Sequence, residues 1–224
     1  MIEIVSATRL SKSDFYSKSA LGISLQRLRF DRRLVPHITF NNQRGLPTIY
    51  NDRIISADGN DALIFIHDDV WIDDYFLSER VTEGLQQYDV IGVAGNRRRV
   101  KNQPAWAFID TKFTEDDKSN QSGSVAHGNV PFGSVYYFGT VPVACELLDG
   151  VFIAVKKSAL LSKGVMFDPR FDFHFYDLDF CRSARERGLR LGTWAICLTH
   201  QSTGAFGSKQ WNESYRTYIE KWGD

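Results

Sequence analysis

Five apolar residues in a row, Ala62-Leu63-Ile64-Phe65-Ile66, run directly into His67-Asp68-Asp69. A run of this kind suits a strand buried on both faces of a parallel sheet, and such a sheet needs helices to cover it. The preceding sequence supplies them. Ile2–Ala7 is a short apolar run, and residues 14–28 place Phe15, Leu21, Leu25 and Leu28 at helical spacing. Residues 36–40 form a second run, and residues 46–57 put Leu46, Ile49, Tyr50 and Ile54 on one helix face. This β-α-β-α-β order predicts an α/β fold: an open, mostly parallel sheet flanked by helices and joined by right-handed crossovers. Ligands in such sheets bind beyond the carboxyl ends of the strands.

Further along, residues 75–87 read as a helix and residues 89–94 as a strand. Between about residues 97 and 134 the pattern fails. The segment is polar, contains Thr114-Glu115-Asp116-Asp117-Lys118-Ser119-Asn120-Gln121-Ser122-Gly123, and is expected to be a long excursion, mobile in part. Residues 141–155 predict two short strands around Leu148-Asp149-Gly150, followed by a helix over 157–161. Residues 175–187 form an amphipathic helix stopped by Gly188, residues 189–198 the last strand, and residues 210–222 a closing helix rich in aromatics. A length of 224 residues without internal repeats predicts a single domain over 1–224.

Lys plus Arg number 27 and Asp plus Glu 27, which argues against attachment to nucleic acid or an anionic membrane by bulk charge. Purely apolar runs stop at about five residues, far short of the ~18 a transmembrane helix needs. The opening Met1-Ile2-Glu3-Ile4-Val5 has neither the basic start nor the apolar stretch of a signal peptide. Cys145, Cys181 and Cys197 have no close pairing, so a reduced, cytoplasmic protein is expected. Phosphate-binding Gly-rich loops, a Gly-x-Ser-x-Gly elbow and a His-Glu-x-x-His helix are all missing.

Three strand ends carry chemistry. Asp68 and Asp69, with His67, close a buried strand, where two carboxylates cost desolvation unless a cation compensates them. Hard divalent cations favour such oxygens and bridge to phosphates, although an Asx turn would use the same residues. Asp177 opens a helix, either as a plain N-cap or as a general base at the rim of a cleft. His200 ends the last strand and would share the rim with His67 to Asp69 if those strands run parallel; a His at a strand end is otherwise simply a surface residue. Asn41, Asn42 and Arg44 suit hydrogen bonding to a base or ribose, and equally a turn without a ligand. Arg97-Arg98-Arg99 with Lys101 suits phosphate or a solvated face.

In order and spacing these parts resemble the GT-A glycosyltransferases of the bacterial family-two type over nearly the whole chain, except for about residues 97–134. Ile4-Val5-Ser6-Ala7-Thr8-Arg9 resembles the first strand and turn that receive the nucleotide, which implies donor-binding roles for Ser6, Thr8 and Arg9. Phe40-Asn41-Asn42 and Tyr50-Asn51 resemble the stretch after the second strand, implying the same for Asn41, Asn42 and Asn51. Phe65 to Val70 is similar to the D-x-D region, with His67 in place of the first acid, Asp68 beside the donor and Asp69 on the metal. Leu148-Asp149-Gly150 resembles the acceptor-side Asp-Gly segment. Tyr176-Asp177-Leu178-Asp179 resembles the Glu-Asp-x-Asp element, with Tyr176 where Glu is usual and Asp177 as the base. His200 matches a late metal-ligating His. The resemblance implies a nucleoside diphosphate sugar donor, an acceptor hydroxyl on a glycan, lipid-linked or small-molecule acceptor, Mn²⁺ or Mg²⁺, and an inverting displacement. Residues 97–134 and the last helix are then expected on the acceptor side. A catalytically silent nucleotide- or sugar-binding module and a nucleotide-sugar hydrolase are the competing readings.

Overall fold

The computed structural model describes residues 1–56, 60–202, 204 and 206–223. Its first half follows the expected alternation: β1 (Ile2–Ala7), helices α1 (Lys12–Lys18) and α2 (Ala20–Arg27), β2 (Leu34–Thr39), α3 (Leu46–Ile54) and β3 (Ala62–Ile66). There follow β4 (Val70–Ile72), α4 (Leu77–Gln87), β5 (Val90–Gly92), β6 (Ala94–Asn96), β7 (Gln121–His127), β8 (Ser134–Gly139), β9 (Val143–Ala144), β10 (Leu147–Leu148) and β11 (Phe152–Lys156). The chain ends with α5 (Lys157–Lys163), α6 (Tyr176–Glu186), β12 (Leu191–Thr193), β13 (Leu198–His200) and α7 (Lys209–Trp222).

The strands make two sheets. The larger has the order β2-β1-β3-β11-β5-β12-β9, and the smaller β10-β6-β7-β13-β4 with β8 on the outer edge of β7. In the larger sheet β1, β2, β3, β5 and β12 run one way and β11 and β9 the other, so the mostly parallel expectation holds. Ile4, Leu63, Ile64, Phe65, Phe152 and Ile153 are fully buried between the helical layers. Tyr50 of α3 and Phe180 of α6 meet Phe65 and Phe167 in an aromatic cluster, with Phe167 and Phe180 stacked at 4.2 Å between centroids.

Five expectations change. The helix over 14–28 is two helices broken at Ser19, whose hydroxyl caps α2 at Gly22 N (2.9 Å) and donates to Phe15 O (2.8 Å). The helix starting at residue 46 is regular to Ile54; the expected end at Ala57 lies outside the described residues. The strand over 89–94 and the strand over 189–198 are each two strands, because the chain leaves the larger sheet after Gly92 and after Thr193 and enters the smaller one. The segment 97–134 contains β7, hydrogen-bonded to β6 and β13 on one edge and to β8 on the other. Some of its polar residues are buried with partners: Asp116 accepts from Asn96, Arg98 and Asn120, and the Gln121 amide donates to the Asp116 carbonyl. Arg98 is therefore an ion-pair partner of Asp116, while Arg97, Arg99 and Lys101 are exposed at the surface.

Helix α7 is fastened to α6 through Asp179, which is fully buried and receives Lys221 Nζ (2.6 Å) and Trp222 Nε1 (2.9 Å). Lys221 also pairs with Asp168 (2.8 Å) and keeps that counter-ion if Asp179 is removed, whereas the Trp222 N–H loses its acceptor. An Asp179→Ala change is expected to cost roughly 1–3 kcal/mol, read as a lowered urea midpoint, with Asp179→Asn milder. An unchanged midpoint in the Ala variant would show that α7 is held by packing alone.

Candidate active site

The carboxyl ends of β1 and β3 open toward a cavity of about 440 Å³ that includes Ala7, His67, Asp68, Asp69, Asp149, Gly150, Asp177 and His200 in its lining. His200 reaches it by a different route from the one expected. β13 is not in the larger sheet; it pairs antiparallel with β4, His200 opposite Val70, and parallel with β7, His200 opposite His127. The turn after β3 thus folds back as β4 and brings Asp69 to His200, with Gln201 N donating to the Asp69 carbonyl (3.0 Å).

Asp69 Oδ1 and His200 Nε2 approach to 3.3 Å without hydrogen-bond geometry, and both are buried without a hydrogen-bond partner. Burial pushes the Asp69 carboxyl up, but the neighbouring His200 outweighs it and holds the group below the ordinary carboxylate range. Burial likewise pulls His200 down, and Asp69 outweighs it and raises the imidazole. His67 is shifted down by burial and stays neutral. His67, Asp69 and His200 each offer one ligand atom within 4.8 Å of the others. Two imidazoles and a carboxylate with unmet bonding capacity fit a divalent cation of the first transition row.

Asp177 is not the N-cap of α6. That position is Phe175, in the left-handed region at φ 67°, and Asp177 stands inside the first turn, its Oδ2 accepting from Gly150 N at 3.0 Å. A helix N-terminus favours the ionised form, yet here desolvation dominates and the charge of Asp149 adds to it, raising the Asp177 carboxyl to about 7. Asp149 accepts from Trp106 Nε1 (2.8 Å) and Val151 N (2.9 Å). Gly150 carries no side chain for a spatial reason: a Cβ there would lie 2.5 Å from the Tyr176 hydroxyl and 3.0 Å from Asp177 Cβ.

Asp68, Asp69, Asp149, Gly150, Asp177 and His200 therefore share one cavity, and Thr8 adjoins it, its hydroxyl lowering the Asp68 carboxyl that burial raises. Ser6 is buried with an unpartnered hydroxyl, whereas Arg9 is exposed outside the lining. Asn41 and Asn42 follow β2 beside β1, through Asn41 N to Leu10 O (3.0 Å) and Asn42 N to Thr8 O (2.8 Å), but the Asn42 side chain bonds Arg44. Asn51 is away from the cavity: its amide exchanges two hydrogen bonds with the Phe167 backbone (2.8 and 2.9 Å). Asp179 points to α7, as its angular separation from Asp177 requires.

Residues that sequence reasoning missed include His127, with its buried Nδ1 unpartnered, and the aromatic lining of Trp106, Phe108, Tyr136, Phe138, Phe173 and Trp211. The density of aromatic residues over 104–138 was the available signal.

The fold is similar to that of the catalytic domain of Drosophila β1,4-galactosyltransferase 7 in complex with xylobiose, at TM-score 0.53 and 11% identity, over 96% of this chain and 79% of that one. It is also similar to GalNAc-T7 with UDP, GalNAc and Mn²⁺, at TM-score 0.53 and 10% identity, over 98% of this chain and 48% of that one. No family model and no curated sequence matches the chain. The likeness defines the fold as GT-A, the α/β architecture of nucleotide-diphospho-sugar transferases. This chain spans about half the length of the GalNAc-T7 chain. Among the described residues no helix is long and apolar enough to cross a membrane.

Replacing Gly150 with Ala is expected to displace Tyr176 or Asp177 and lower stability by about 1–3 kcal/mol, the usual range for overpacking. Chemical denaturation checks it; wild-type stability would mean that the β11 entry yields to the extra methyl.

Proposed function

We propose that this chain is a glycosyltransferase that moves a sugar from a nucleoside diphosphate donor to an acceptor hydroxyl, with a divalent cation and inversion at the anomeric carbon. One observation carries the reading: a single cavity holds a three-residue cation cluster and a carboxylate whose pKa is pushed to about 7. The similar folds add support, since one was captured with UDP, GalNAc and Mn²⁺ and the other with xylobiose.

In this mechanism His67, Asp69 and His200 would hold the cation, which when bound would neutralise charge on the leaving diphosphate. The imidazole share of the donor set favours Mn²⁺ over Mg²⁺. Thr8, Ser6, Asp68, Asn41 and Asn42 surround the carboxyl edge of β1 and form the donor side. Asn51 supports that side indirectly, by fixing α3 to Phe167. Asp177 takes the proton of the acceptor hydroxyl as that oxygen bonds to the anomeric carbon and the bond to the diphosphate breaks. A general base works best with a pKa near the operating pH, and burial beside Asp149 tunes Asp177 there. Asp149, Trp106 and the aromatic wall from residues 97–138 and α7 form the acceptor side, where flat apolar ring faces receive a sugar ring and the carboxylate receives its hydroxyls.

Asp177→Asn is expected to lower transfer roughly a hundredfold or more. In the wild type, kcat/KM should rise with pH and level off above about 7, as the Asp177 carboxyl ionises. The stability sign is opposite: a carboxyl raised from 3.8 to about 7 favours the folded state at low pH, so the Asn variant gains on the wild type as pH climbs across that interval. Near-normal transfer by Asp177→Asn would remove the base role; donor binding with no turnover in the wild type would favour a silent module, and free sugar as the sole product a hydrolase.

Calorimetry with UDP as probe tests the cation. Affinity should be higher in Mn²⁺ than in chelator, and Asp69→Ala should abolish that difference while the metal-free protein stays folded. Equal affinity in Mn²⁺ and chelator would sink the metal role.

A further inference from the structure

The two positions that depart from the sequence pattern, His67 and Tyr176, touch each other. His67 Nε2 lies 2.8 Å from the Tyr176 hydroxyl, and that hydroxyl lies 2.8 Å from the Gly150 carbonyl oxygen. The hydrogen-bond inventory settles the direction. A carbonyl oxygen only accepts, so the single hydroxyl proton of Tyr176 goes to Gly150, and the Tyr176 oxygen is left as an acceptor toward His67. His67 Nε2 must then carry a proton. In a neutral imidazole the lone pair is consequently on Nδ1.

From this we infer that Tyr176 is a positioning residue for the cation cluster: its hydroxyl holds His67 in the Nε2–H tautomer and makes Nδ1 the ring's ligand atom. The ring is fixed on its faces as well. Phe173 stacks on it at 5.5 Å between centroids with 26° between planes, and the Tyr176 ring itself is almost fully buried against Tyr50 and Phe167. A carboxylate at position 67 needs no such support, because both of its oxygens accept in either orientation. An imidazole does, since the wrong tautomer turns an N–H toward the cation. Partners that donate or accept at the far nitrogen of a ligating His commonly set metal affinity in this way. The inference rests on the cation site proposed above, and deepens it by assigning the ligand atom and the group that selects it.

Two measurements test it. ¹⁵N-histidine NMR of the metal-free wild type, with His67 assigned by a His67→Gln variant, should show an unprotonated Nδ1 and a protonated Nε2. Mn²⁺ titration followed by electron paramagnetic resonance should show Tyr176→Phe, which keeps the ring and loses only the hydroxyl, binding about 10- to 100-fold more weakly than the wild type. In a His67→Asp background, which has no tautomer to select, the same Tyr176→Phe change should leave Mn²⁺ affinity within about twofold, a coupling that a merely structural role would not produce. A protonated Nδ1 in the wild type overturns the inference, as does undiminished Mn²⁺ affinity in Tyr176→Phe or an equal loss in both backgrounds. The NMR experiment decides even if Tyr176→Phe does not fold. A wild type that binds no Mn²⁺ overturns the cation site itself, whereas the tautomer measurement still tests the Tyr176–His67 contact separately.

Discussion

The peptide of Gly150 is the junction on which the cavity depends. Its N–H holds Asp177 and its carbonyl holds Tyr176, which in turn holds His67, so the start of α6 and the end of β3, both distant in sequence, are fixed by the backbone of one residue. Such a junction forms only where backbone and side chains approach without an intervening Cβ, and the 2.5 Å clearance to Tyr176 leaves no room for one. Backbone groups cannot drift independently of the sheet, and β11, which begins two residues later, is paired on both edges with β3 and β5. Asp177, Tyr176 and His67 are thus tied to the middle of the larger sheet.

The same cavity drives its carboxylates in opposite directions. Asp69 faces an imidazole and is held ionised; Asp177 faces another carboxylate and is raised to about 7. Both are removed from bulk water, which raises both; at Asp69 the imidazole of His200 reverses that shift, and at Asp177 the charge of Asp149 adds to it. Chemically identical groups in one cavity are thus shifted apart by nothing more than different partners.

Much of the frame was legible in the sequence. The apolar run Ala62–Ile66 identified a doubly covered strand, and the alternation before it placed β1, α3 and β3. The resemblance carried by Asp69, Asp149, Asp177 and His200 identified groups that do line one cavity. What stayed hidden was non-local. His200 reaches Asp69 through a second sheet whose pairing leaves no mark on a periodicity reading. β7 was hidden because its interior requires small residues: Gln121-Ser122-Gly123-Ser124-Val125-Ala126-His127 reads as a loop, yet a Cβ on Gly123, at φ 98°, would lie 2.0 Å from the Val93 carbonyl oxygen. Asn51 misled for the opposite reason, since a side-chain amide that cross-links two backbones looks the same in sequence as one that binds a ligand.

Asp177 and Asp179 lie on one turn of α6 and look in opposite directions, one into the cavity and the other onto the last helix. α7 itself contributes Trp211 to the cavity wall and Lys221 to Asp179. A chain lacking α7 would lose a wall and the counter-ion together, leaving buried acids on both faces of one helical turn. The fourteen residues of α7 therefore bear on the position of Asp177 through a single turn of α6, without any of them having to touch that carboxylate.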